Sequence, residues 1–151
     1  MERITSFTVD HTKLIEGIYV SRVDGDVTTY DLRFKKPNKG DYLSVPEMHT
    51  TEHLFATYVR NSEIGSQVVY FGPMGCCTGF YLLVRDADND NVLSVVKDVL
   101  EKCAEHDGEV FGCSEIECGN YRTLELSCAK KVCREYLDIL NSKNNTFKYE
   151  V

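Results

Sequence analysis

The stretch IYVSRVDGDVTTYDLRF, residues 18–34, decides the fold class. Ile18 to Val23 is short and rich in β-forming residues. Asp24-Gly25 offers a tight turn, and Val27 to Phe34 follows as the second strand of a hairpin. In that strand Tyr30, Leu32 and Phe34 alternate with Thr29, Asp31 and Arg33, so one face is apolar and the other carries Arg33. Ile4 to Val9 reads as a further strand ahead of the hairpin, and KKPNKGD (35–41) as a loop.

Beyond the loop, the segment from Ser44 to about Asn61 reads as a helix: Ser44 and Glu47 have capping-box spacing, and Pro46 falls in the tolerant first turn. Val68 to Phe71 and Phe80 to Val84 read as strands around the glycine-punctuated turn GPMGCCTG (72–79). From Asn91 to about Ala104, Val92, Val95, Val96, Val99, Leu100 and Cys103 recur at helical spacing. EVFGCSEIECGNY (109–121) is turn-rich, with an extended path possible. A last helix is expected from about Thr123 to Leu140, burying Leu124, Cys128, Val132, Cys133, Tyr136, Leu137 and Leu140, with a loose tail after it. Hairpins interspersed with helices, without regular βαβ alternation, predict an α+β fold. Its simplest form is a single domain over 1–151, an antiparallel β-sheet with helices packed mainly on one face.

Composition narrows the function classes. Of 151 residues, 42% are hydrophobic and 27% charged, the balance of an ordinary globule able to bury one core. Asp and Glu outnumber Lys and Arg 24 to 17, a net charge of −7 with no basic run, which disfavours nucleic acid. No apolar stretch approaches the ~20 residues that span a bilayer, so no membrane partner is expected. MERITSFTVDH at the amino terminus carries no export pattern. The 7 cysteines are odd in number and lack a disulfide-framework spacing, so free thiols in a reducing, cytoplasmic setting are expected.

The helix over 44–61 carries the chemistry. Within MHTTEHLFA (48–56), His49 and His53 stand four apart and project from one face, where both imidazoles reach a single ion. Glu52 falls on the same side. Met48, Phe55 and Val59 lie on one flank and Leu54 and Tyr58 on the other, so the helix is expected to be largely buried. A buried imidazole pair and carboxylate then need partners, which a metal and its substrate supply. Two ligands are too few for a catalytic centre, which usually holds three and an open position. Cys103, Cys128 and Cys133 occupy apolar helical positions, where cysteine packs as a small core residue. Cys76, Cys77, Cys113 and Cys118 lie in turns, and spacing alone selects none of them.

HTTEHLFA (49–56), GPMGCCTGFYLL (72–83) and ECGNYRTLEL (117–126) resemble the signature segments of the S-ribosylhomocysteine lyase (LuxS) family. SFTVDH (6–11) and YDLRFKKPNK (30–39) match it too, in the same order, so the resemblance covers nearly the whole chain. It implies an α+β metalloenzyme working as a homodimer with Fe2+, for which Zn2+ or Co2+ substitutes. The implied reaction cleaves the thioether of S-ribosylhomocysteine to homocysteine and dihydroxypentanedione, the precursor of autoinducer-2, linking the methyl cycle to quorum sensing. By position, the resemblance implies metal binding by His49, His53 and Cys118, and acid–base roles for Glu52 and Cys76. Ser6, His11 and Arg33 match residues that hold substrate or assist proton transfer. Two positions depart from the family pattern: Tyr70 stands where an acidic residue is expected, and Cys77 where a longer polar residue follows the reactive cysteine.

These residue types suit that chemistry. A carbonyl must move along the ribose until the thiolate sits where β-elimination releases it, and each shift removes one carbon-bound proton and delivers another. A Lewis-acidic cation stabilises the developing negative charge, while two residues flanking the sugar carry protons. Cys76 is expected to act as a thiolate in the first isomerisation and Glu52 in the later transfers and elimination. Two other readings fit the His-Thr-Thr-Glu-His stretch. One is a zinc peptidase of inverted motif, in which Glu52 activates water; the other is a structural metal site in a non-catalytic binding protein.

Overall fold

A computed structural model describes residues 1–150. Strands β1 (Gly17–Asp24) and β2 (Val27–Arg33) form the first hairpin. Helix α1 (Val45–Arg60) then crosses to a second hairpin of β3 (Val68–Pro73) and β4 (Gly79–Arg85). The hairpins lie side by side in a four-stranded antiparallel sheet of order β1-β2-β4-β3. Helices α2 (Asn89–Ala104) and α3 (Leu126–Asn141) follow and pack with α1 on one face. The α+β expectation is borne out.

Alternation in the central strands builds the core. Tyr30 and Leu32 of β2, with Phe80, Leu82 and Val84 of β4, are fully enclosed. Phe80 stacks on Phe71 and Phe71 on Phe55 of α1, while Phe34 stacks on Tyr136 of α3. Rings of this size remove a large apolar area from water, so the two stacks that cross from sheet to helix anchor α1 and α3. Val95, Val96, Val99 and Leu100 of α2 and Val132, Leu137 and Leu140 of α3 close the helical layer.

Four expectations are corrected. Ile4 to Val9 is not a strand: Thr5–Phe7 forms a single 3-10 turn. Both Ile4 and Phe7 are exposed, so its β-forming side chains have no face to cover. The last helix starts at Leu126 rather than Thr123, because the Glu125 carboxylate accepts from the Cys128 N–H and caps it there. Thr123 instead ends a 3-10 turn, Tyr121–Thr123. Residues 109–121 contain no strand. The tail is not loose. The Val20 N–H donates to the Phe147 carbonyl at 2.9 Å, Phe147 is buried, and Tyr149 stacks on Tyr19 at 4.9 Å.

Candidate active site

Helix α1 presents His49, Glu52 and His53. The capping box is formed: the Glu47 N–H donates to Ser44 Oγ, and the Ser44 N–H to the Glu47 carboxylate. Leu54, Phe55 and Val59 fasten the helix to the core, and Thr50 and Thr51 are buried against α3, with Thr51 Oγ1 3.9 Å from Cys133 Sγ. That leaves the histidine face half-buried beside the loop from Phe111 to Thr123.

The loop supplies the third donor. His49, His53 and Cys118 bring one ligand atom each within 4.8 Å of one another, and His49 Nε2 lies 3.3 Å from Cys118 Sγ. Bonds of about 2.0–2.3 Å to a tetrahedral ion set donor separations near 3.5 Å, so a small contraction seats the cation. The tautomers fit as well. The His53 Nδ1 hydrogen bond, 2.7 Å long, goes to the Phe111 carbonyl, which only accepts, so Nδ1 carries the proton and Nε2 keeps its lone pair. His49 Nδ1 lies 2.5 Å from Thr123 Oγ1, whose own proton goes to the Asn120 carbonyl, so His49 is likewise protonated at Nδ1. Such outer hydrogen bonds fix ring orientation and raise ligand basicity. Burial, and then the neighbouring His53, lower the His49 pKa and favour the neutral ligand form. Two nitrogens and a thiolate suit iron, zinc or cobalt, and three protein donors leave one position for another ligand.

Glu52 and His53 line a cleft of about 360 Å³ with Ala56, Tyr70, Phe111 and Gly112. A second cleft, of about 370 Å³, is lined by Ser6, His11, Arg33, Cys76, Met74 and Tyr81. Among the described residues none lines both. The sequence-predicted set therefore falls into two groups in one chain, the metal ligands with Glu52 and the remaining four around Cys76.

Arg33 is 3% exposed, so its face of β2 is covered rather than solvated. Its guanidinium grips Asp31 through Nε at 3.1 Å and Nη2 at 2.6 Å, and Asp31 also accepts from the Tyr149 hydroxyl at 2.7 Å. Nη1 reaches Thr78 Oγ1 at 2.7 Å and the Cys76 sulfur at 3.8 Å. Cys76 is exposed on the β3–β4 turn, which closes through the Cys77 N–H to the Met74 carbonyl at 3.0 Å. Cys77 holds a left-handed φ of 63°, a strained setting for a residue with a Cβ. Tyr70, 52% exposed, lies along β3 so that its ring occupies the space a Cβ at Gly72 would need.

Several site residues escaped the sequence reading. Asp31 was findable, being two positions from Arg33 on the same strand face with opposite charge. Thr123, the Phe111 carbonyl and Tyr149 carried no signal, since each acts through a partner far along the chain; Thr78 stands two positions from Cys76, but the Arg33 that meets it lies 45 positions away. Gly112 is in the same class: at φ 70°, a Cβ there would come within 3.2 Å of His53 Nδ1.

The chain matches the family model described as S-Ribosylhomocysteinase (LuxS) over residues 4–147. It is 44% identical to the S-ribosylhomocysteine lyase of Finegoldia magna, with 94% of each chain covered. It is 43% identical to that of Borreliella burgdorferi, with 99% of each covered. The corresponding enzyme of Phocaeicola vulgatus is 45% identical, over 91% of this chain and 89% of the relative.

Proposed function

The chain belongs to the S-ribosylhomocysteinase (LuxS) family, and from that premise we propose that it is a carbon–sulfur lyase acting on S-ribosylhomocysteine. The products are homocysteine and dihydroxypentanedione, the autoinducer-2 precursor, which gives the chain a place in the methyl cycle and in quorum sensing. The observation that carries this reading is the convergence of His49, His53 and Cys118, with both histidines protonated on the nitrogen that faces away from the cluster. Neither the peptidase reading nor the purely structural metal site is supported by the family match.

His49 and His53 through Nε2, and Cys118 through its thiolate, would hold Fe2+, with Zn2+ or Co2+ able to replace it. When bound, the cation supplies Lewis-acid stabilisation of negative charge on the sugar's oxygens. Glu52, in the same cleft as His53, takes and returns protons in the later isomerisation and in β-elimination of the thiolate. Cys76, as a thiolate beside Arg33, removes the first carbon-bound proton. Ser6 and His11 line the cleft with it and bind sugar hydroxyls, and Arg33 holds negative charge.

The working unit in this reading is a homodimer. Because the two clefts share no lining residue, a two-fold pairing that sets the Cys76 cleft of one copy against the metal centre of the other completes the constellation. The exposed Phe7, Val69 and Tyr70 offer apolar area for it. Among the described residues no helix is long and apolar enough to cross a membrane. Free thiols and a ferrous ion both fit a reducing cytoplasm.

The test is anaerobic purification with metal analysis, then measurement of thiol released from S-ribosylhomocysteine. Metal-loaded protein is expected to release homocysteine, and Cys76→Ala and Glu52→Gln each to slow it at least about a hundredfold. Release that survives both substitutions unchanged removes the proton carriers named above.

A further inference from the structure

We propose that Thr78 is a positioning residue that keeps the Cys76 sulfur in its thiolate form, donating its hydroxyl proton to the sulfur while Arg33 occupies the hydroxyl oxygen. This link rests on the proton-carrier reading of Cys76. Thr78 opens the approach to β4 and is 2% exposed, so its hydroxyl has no access to bulk water. Two side chains meet that hydroxyl, Arg33 Nη1 at 2.7 Å and Cys76 Sγ at 3.0 Å.

Donor chemistry settles the direction. A guanidinium only donates, so Arg33 takes a lone pair of Thr78 Oγ1. The hydroxyl then holds one proton, and the Cys76 sulfur is the acceptor within reach. If the sulfur kept its own proton and donated it to Thr78, the threonine proton would be left buried without an acceptor. With the Thr78 hydroxyl at 3.0 Å and Arg33 Nη1 at 3.8 Å both donating to the sulfur, the arrangement favours the thiolate, a stronger acceptor than the thiol. The thiol proton leaves to solvent, to which Cys76 is open. Arg33 is itself locked by Asp31, which accepts from Tyr149, so the donor cannot swing away from Thr78. The other titratable groups around the sulfur are His11 and Tyr81, which line the same cleft. Burial, followed by the Asp31 charge, raises the Tyr81 pKa, so its phenol stays neutral there.

Thiolate reactivity reads this link without any substrate. Residues 61–85 form one tryptic peptide whose only cysteines are Cys76 and Cys77. In metal-loaded, full-length protein carrying Cys77→Ser throughout, iodoacetamide labelling of that peptide reports Cys76 alone. Thr78→Val keeps the shape and removes the hydroxyl, and Thr78→Ser keeps the hydroxyl. The expected result is labelling about tenfold slower in Thr78→Val near pH 6, a difference of less than about twofold near pH 9, and recovery in Thr78→Ser. Equal rates in Thr78→Val and its parent at both pH values overturn the proposal. So does a slowing of the same size at both, or a failure of Thr78→Ser to recover, because each marks a packing effect. Homocysteine release by the parent protein, measured separately, tests the lyase reading and leaves the labelling result standing on its own.

Discussion

At the scale of single residues, the candidate metal donors are oriented by groups that belong to other residues. The Thr123 hydroxyl accepts from His49 and the Phe111 carbonyl from His53, and both partners come from the loop that also carries Cys118. Thr123→Val leaves the His49 N–H without its acceptor, and the expected outcome is metal affinity about ten- to a hundredfold weaker, read by competition with a chromophoric chelator. Gly112→Ala strikes the same ring from the other side. It puts a Cβ where the backbone φ is 70° and the His53 ring is 3.2 Å away. Weaker metal binding and a lower melting temperature should appear together. An unchanged affinity would show that the loop yields without moving His53.

At the scale of elements, α1 is the part whose sequence and structure agree most closely, because its signals are local. Capping box, proline in the first turn and apolar flanks all lie within the helix itself. Ser44→Ala removes one half of the box, and a stability loss of about 1 kcal/mol is expected in urea denaturation. The start of α3 shows the opposite case. Periodicity extends the helix back to Thr123, but Glu125 caps it and Thr123 turns away to serve His49. Ile4 to Val9 fails for a related reason: a β-rich composition makes a strand only where a neighbouring edge is free and a face is buried.

At the scale of the whole molecule, Tyr149 reaches back to secure the interior strand β2. Tyr149 donates to the Asp31 carboxylate that fixes Arg33, and both members of that ion pair are buried, at 1% and 3% exposure. Tyr149→Phe removes a charge-assisted hydrogen bond, and about 2 kcal/mol of stability should go with it, measured by thermal or urea unfolding. Asp31→Asn is expected to cost more, about 3–5 kcal/mol, because it leaves a guanidinium buried without its counter-charge. Alkaline pH tests the same packing. Burial, and then Asp88, push the Tyr30 phenol from 10.0 up to about 12, and burial also raises Tyr136 and Tyr149. A raised folded pKa means that the neutral phenol stabilises the fold. That contribution is whole below pH 10, where the unfolded phenol titrates, and declines as pH rises toward 12. Urea midpoints should therefore hold level up to about pH 10 and fall beyond it.

The sequence by itself determined the hairpins, the three helices and the α+β class, and it named His49, His53 and Cys118 as candidate metal donors, which the structure brings within reach of one another. Turn chemistry, caps and hydrophobic periods act over a few residues, and the family motifs are written in contiguous segments. Only the tertiary structure decided that Arg33 is enclosed rather than solvated, that the tail is a strap, and that the site residues form two separate clefts. Each of those depends on segments 43 to 130 positions apart meeting in space. Such contacts follow from how the whole core packs, and no local period or propensity encodes which distant donor will meet which acceptor.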